Sequence, residues 1–129
     1  MITYLVIINL FSIDPLKLIV TLNGEAKDAV GPNAGVYVLG PNPICGKSHW
    51  LKDPSSNRAI WYNKEIGIWA MGLKSYLGST TCSLLSYDDV DGPQKVKNWK
   101  YANPNGPGFM PSDDILVDTF DEPGTGQFK

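Results

Sequence analysis

Histidine and cysteine are scarce in this chain, with one His and two Cys among 129 residues, and no paired Cys motif occurs. That excludes the usual structural zinc sites, since a lone His49 cannot complete a Cys/His ligand set. Charge of one sign is also missing. The formal net charge is −2, with no basic patch to hold nucleic acid and no long acidic run to act as a solvating tail. Glycine-rich phosphate cradles are absent. Gly31-Pro32-Asn33-Ala34-Gly35 and Gly106-Pro107-Gly108 carry prolines where backbone N–H donors are wanted, and no Lys-Ser/Thr pair comes after either. No long segment has apolar residues at helical spacing, so helix content is predicted to be low. There is no nucleophile-elbow pattern and no Asn-x-Ser/Thr sequon.

Long hydrophobic runs are wanting too. The most apolar stretch, Tyr4 to Phe11, is too short to span a bilayer, and Asp14, Pro15 and Lys17 interrupt the apolar residues beyond it. As a signal peptide it lacks a preceding Lys or Arg, and Ser12-Ile13-Asp14-Pro15 is not a small-x-small cleavage site. Two strands, 2–10 and 16–22, are favoured over a leader. The expected organisation is residues 1–30 as N-terminal hydrophobic strands or an uncleaved leader, 31–120 as an aromatic-rich β domain, and 121–129 as a flexible tail. Cys45 and Cys82 leave two states open: one disulfide, or two reduced and buried thiols. A single domain of this length buries roughly two-thirds of its unfolded surface, enough for a core without metals or disulfides.

Tryptophan, glycine and proline are the residues the chain does have in quantity. Thirteen Gly and ten Pro are spread along it, as expected for many short elements joined by tight turns. Trp50, Trp61 and Trp69 fall within twenty positions, each in a short apolar-aromatic segment bounded by turn-forming residues. Connectors 53–57 and 63–67 have hairpin length and composition. Alternation sets Ala59, Trp61 and Asn63 against Ile60 and Tyr62, then Ile68 and Ala70 against Trp69 and Met71. Apolar groups on both faces imply a sheet covered on both sides, or a surface that binds something. Gly35 to Gly40, the segments around 81–86 and 97–101, and Ile115 to Asp118 complete the strand set. Residues 87–93 and 103–111 are expected to be loops, and Asn23-Gly24 marks a turn or hairpin. The fold class is mainly β: a compact antiparallel meander of short strands from 35 to 101, with tight Gly/Pro/Asn turns and a closing strand near 115–118.

Few residues can carry chemistry. His49 is where any acid–base hypothesis begins, with Asp53 and Glu65 as the nearest carboxylates in sequence. Asp88-Asp89-Val90-Asp91-Gly92 resembles the start of a calcium loop. However, aligning Gly92 with the invariant glycine puts Tyr87 and Asn98 at the first and twelfth positions, where acidic ligands are required. A solvated turn with side-chain-to-backbone hydrogen bonds is the favoured alternative. The aromatic set offers a ligand platform in Trp50, Trp61, Tyr62 and Trp69, in competition with its use as core. If all four tryptophans are buried, stacking on them is excluded, and binding falls to loops 41–46, 87–95 or 102–112.

The order Gly35-x-Tyr37, Trp50, Ile60-Trp61-Tyr62-Asn63, Gly67-x-Trp69-x-Met71-Gly72, Pro93-x5-Trp99-x-Tyr101 and Asp113-Asp114-Ile115-x-Val117 resembles a small aromatic-rich β module of uncharacterised, often multi-module eukaryotic proteins. Phe109 stands where that pattern has a further tryptophan. The resemblance implies an antiparallel β unit without catalytic activity. The expected function is a non-enzymatic binding or structural-assembly module for a protein or carbohydrate. No cofactor, metal, nucleic-acid partner or membrane span is expected. Two alternatives are a small secreted enzyme or effector using His49 with a carboxylate, and a disulfide-stabilised secreted defence or toxin-like protein. An extracellular setting is slightly favoured over a cytoplasmic one.

Overall fold

Alternation at residues 58–63 builds the centre of the sheet. In the computed structural model, which describes residues 14–44, 46–55 and 57–120, Ile60 faces one side with Tyr62, while Ala59 and Trp61 face the other. The strands are β1 (Lys17–Leu22), β2 (Gly35–Leu39), β3 (Trp50–Lys52), β4 (Arg58–Asn63) and β5 (Ile68–Leu73). They continue as β6 (Leu84–Ser86), β7 (Lys100–Ala102), β8 (Phe109–Pro111) and β9 (Ile115–Thr119). All pair antiparallel in one sheet of order β8-β7-β6-β5-β4-β3-β2-β1-β9. Each strand from β1 to β7 therefore neighbours the next in sequence, and only β9 returns across the molecule to pair with β1, Leu22 opposite Ile115. The meander curls into a half-barrel. One short helix, α1 (Gly24–Val30), packs against β7 on the concave side, and a 3-10 turn at Pro93–Lys95 packs against β9.

The concave side holds the main core. Leu18, Val20, Leu22, Tyr37, Trp50, Ile60, Trp69, Met71, Leu84, Trp99, Tyr101 and Val117 meet there, and Ala26 and Val30 of α1 close over them. Trp50 and Trp69 lie with ring centroids 6.3 Å apart, and Tyr62 meets Trp69 edge-on at 5.2 Å. The convex side carries a smaller cluster of Ala59, Trp61, Ile68, Ala70 and Leu85. Leu77 and Cys82, from the connector after β5, lie on it. The sheet is thus covered on both faces at its centre, which is why β5 is apolar at consecutive positions from Ile68 to Met71. Gly72 permits that cover. A Cβ there would sit 3.1 Å from Ser83 N and 3.2 Å from the Cys82 Cα, closer than packed atoms ordinarily come.

The structure departs from the sequence expectations at particular places. Residues 103–111 are not all loop, because Phe109–Pro111 forms β8 against β7, Ala102 opposite Phe109. Gly108, at φ +86°, turns the chain for that pairing, and Pro111 is tolerated because β8 is an edge strand. Of the two expected forms at Asn23-Gly24, the turn is the one present, leading into α1 with Gly24 at φ +55°. β6 is confined to 84–86, so Thr81 and Cys82 precede it. The expected strand at 16–22 is present as β1, between β2 and β9, and Ala26 and Val30 of α1 join the same core. The expected strand at 2–10 and the tail at 121–129 lie outside the described residues.

Both edges of the sheet are blunted. Asn103 N donates to Gly108 O and Ser112 N to Trp99 O, so alternation turns the backbone groups of Phe109 and Pro111 away from β7. Pro111 has no N–H to offer there. On β9, Asn23 N donates to Asp114 O and Phe120 N to Lys17 O, which turns the backbone groups of residues 115, 117 and 119 away from β1 while the Ile115 and Val117 side chains stay in the core. The Thr119 N–H is taken up by Asp118 Oδ1 at 2.8 Å. Proline on an edge strand is a common protection against strand addition, and on β9 the Asp118 carboxylate occupies one outward N–H.

Candidate functional site

Trp50, Trp61, Trp69 and Trp99 are all buried, at 0, 0, 1 and 1 % exposure. Their rings present no face to solvent, and three of their indole N–H groups tie loops to the sheet. Trp50 Nε1 donates to Pro15 O at 2.9 Å, Trp61 Nε1 to Ser79 O at 2.9 Å, and Trp69 Nε1 to Val90 O at 3.0 Å. A ligand stacked on any of these rings would require the sheet or its covering loops to open. Tyr62, the fourth member of the predicted platform, is half-buried against Trp69, with Lys47 Nζ 5.4 Å from its ring centroid.

His49 is buried, and its Nδ1 has no hydrogen-bond partner among the described residues. The ring packs on Gly40, where a Cβ would overlap the imidazole. Burial, reinforced by the Lys74 ammonium, lowers its pKa and keeps the ring neutral. Asp53 and Glu65 are exposed, and neither hydrogen-bonds to it. A neutral imidazole without a carboxylate lacks the orienting partner that general acid–base chemistry uses. Cys82 is half-buried, and burial raises its thiol pKa to about 11, which leaves little thiolate near neutrality. Cys45, the other member of the predicted pair, lies outside the described residues.

The Asp88 segment is an irregular loop that Asp88 ties to residues 97 and 98. Its Oδ2 accepts from Lys97 N at 2.7 Å and Asn98 N at 3.1 Å, and its Oδ1 accepts from Asn98 Nδ2 at 3.0 Å. Burial opposes ionisation of Asp88, but these bonds outweigh it and hold the carboxyl below the ordinary carboxylate range. Both of its oxygens are thereby engaged. Among the described residues no group of three or more His, Cys, Asp or Glu is disposed to hold a metal ion.

A groove of about 400 Å³ opens between α1 and the β7–β8 hairpin, lined by Glu25, Asp28, Ala29, Tyr101, Pro104, Asn105 and Met110. It exists because the sheet curls. α1 comes directly after β1 and the hairpin lies at the opposite end of the strand order, yet the curl brings α1 onto β7. Glu25 and Asp28 are three apart on α1 and so share a face. Ala29 leaves room beside them, and Tyr101 and Met110, opposite each other in the β7–β8 register, supply the facing wall. Tyr101 Oη donates to Glu25 Oε2 at 3.4 Å, a long bond. Burial, then the Glu25 carboxylate and more distantly Asp114, raises the Tyr101 pKa. Asp114 also lies over Gly24, its Oδ2 2.7 Å from where a Cβ would be.

The sequence places Tyr101 among the aromatics and residues 102–112 among the loops left for binding, but nothing in it connects them to α1. The i, i+3 spacing of Glu25 and Asp28 is the one local signal of the groove. Comparison with protein-family models, with curated proteins and with solved structures finds no match for this chain.

Proposed function

We propose that this domain is a non-enzymatic binding module that takes a segment of a partner protein into the groove between α1 and the β7–β8 hairpin. The observation that carries this reading is the division of labour among the large side chains. The four tryptophans are consumed by the core and by loop attachment, whereas the groove stays concave, open and part apolar. Blunted edges at β8 and β9 argue against recognition by strand addition and for recognition by side chains in a groove. A carbohydrate ligand would want an exposed ring face; Tyr76 and Tyr87 offer one, but neither lines the groove, and Tyr62 is half-buried beneath Lys47. Enzymatic use of His49 is disfavoured by its burial and by the lack of a carboxylate hydrogen bond.

The test is selection of peptides from a random displayed library on the full chain, alongside a glycan array. Two variants that obstruct the groove from exposed positions, Asn105→Trp and Met110→Arg, serve as counter-targets. Selected peptides are expected to lose binding to both variants, whose folding is checked by circular dichroism. Peptides indifferent to both substitutions, or glycans bound in their place, would overturn the proposal.

A further inference from the structure

We infer that the groove accepts a lysine or arginine side chain of the bound segment, with its stem along the apolar wall and its cationic head between Glu25 and Asp28; this rests on the proposed binding function. Three observations support it. First, the groove has two sides of different character: Glu25 and Asp28, with Ala29, on α1, and Tyr101, Pro104 and Met110, with Asn105, facing them. A long aliphatic stem ending in a charge matches both sides at once, which a wholly apolar or compact polar side chain does not.

Second, the negative charge is uncompensated from within. Glu25, Asp28 and Asp114 make no ion pair with a Lys or Arg of the described residues, whereas Asp91 is paired with Lys95 at 3.0 Å. The field they create reaches Tyr101, whose hydroxyl is turned toward Glu25. A cation entering between them would supply the ion pair that no Lys or Arg of the described residues makes. Third, the carboxylates do not form a cluster able to ligate a metal ion, so an organic cation with directed N–H donors is the better fit.

The probe is Nα-acetyl-lysinamide, with Nα-acetyl-argininamide beside it, titrated into the full chain and followed by NMR at Ala29, Tyr101 and Met110. The control is the Nε-acetylated lysine derivative, which keeps the stem and removes the charge. Saturable shifts at all three residues are expected with the cationic probes and not with the control, and they should weaken as salt rises. The exposed, near-isosteric pair Glu25→Gln and Asp28→Asn should weaken binding by roughly threefold to tenfold without changing the fold. The inference is overturned if the control binds equally well, if the double variant binds unchanged, or if the cationic probes cause no shift. Library-selected peptides that occupy the groove without a basic residue would sink this inference and leave the binding reading standing. Peptides that bind elsewhere would sink both.

Discussion

The indole N–H of Trp61 meets the carbonyl oxygen of Ser79 at 2.9 Å, pinning the β5–β6 connector onto the convex face of the sheet. Trp99 is as deeply buried, yet its Nε1 has no partner among the described residues. The same substitution should therefore cost different amounts at the two sites. Trp61→Phe removes a made bond, orphans the Ser79 carbonyl and leaves a small void, for an expected loss of about 2 kcal/mol. Trp99→Phe leaves a void but removes a donor already unsatisfied, and should cost at least about 1 kcal/mol less. Urea denaturation of both variants measures the difference. Equal losses would contradict the assigned hydrogen bonding.

His49 should make stability depend on pH below neutrality. Its pKa is depressed in the folded state, mainly by burial and secondarily by Lys74, relative to about 6.5 in the unfolded chain. Between the two values the unfolded state binds more protons. Stability is then complete above about pH 6.5 and falls as pH drops toward the folded pKa. His49→Asn should flatten the curve just below about pH 6.5, whatever its effect on absolute stability. Denaturant midpoints across that window decide the matter, and an unchanged slope would remove His49 as the cause.

Asp88 acts lower on the pH scale. Although burial opposes its ionisation, the N–H groups of Lys97 and Asn98 depress its pKa overall. A carboxyl depressed in the folded state contributes stability above its unfolded pKa and loses it as pH falls through the folded one. Asp88→Ala is expected to cost about 1 kcal/mol near neutrality. That cost should vanish in acid, once the wild-type carboxyl is protonated. A cost that persists in acid would assign the effect to packing.

Gly72 is required by the crossing of residues 82 and 83 over β5. Gly72→Ala puts a methyl group 3.1 Å from Ser83 N and 3.2 Å from the Cys82 backbone, so the connector must lift. The expected loss is about 1–3 kcal/mol. Amide exchange should accelerate at Ser83, whose N–H donates to Met71 O at 2.8 Å. A loss of stability with Ser83 protection intact would place the strain elsewhere.

The strands are legible in the sequence wherever alternation is strong. Residues 58–63 and 68–73 have the facing pattern and the hairpin connectors that their side chains imply, because a half-buried strand writes its two faces into the chain at period two. β8 is hidden, since Phe-Met-Pro is too short for a period and ends in a residue that usually argues against a strand. The predicted platform shows a different limit. Composition groups Trp50, Tyr62 and Trp69 as the neighbours they are, but Trp61 lies on the other face. Exposure depends on which side the sheet curls and on what covers its back. The groove is illegible for the same reason. Its walls, residues 25–29 and 101–110, are joined only by the curl.

β1 is made early in synthesis and waits for β9, its neighbour through Leu18 to Leu22 and Thr119 to Ile115. The ribosome delivers β2 to β8 in the order in which they pair, so each can zip onto its predecessor as it emerges. β9 alone must find a strand laid down almost a whole domain earlier, and it carries Ile115 and Val117 into the core when it does. Until then the nascent meander has an open seam beside Leu18 and Val20. Nascent chains stalled before residue 115 has left the exit tunnel should stay protease-sensitive, and chains stalled on an added C-terminal linker long enough to bring residue 119 out of the tunnel should not.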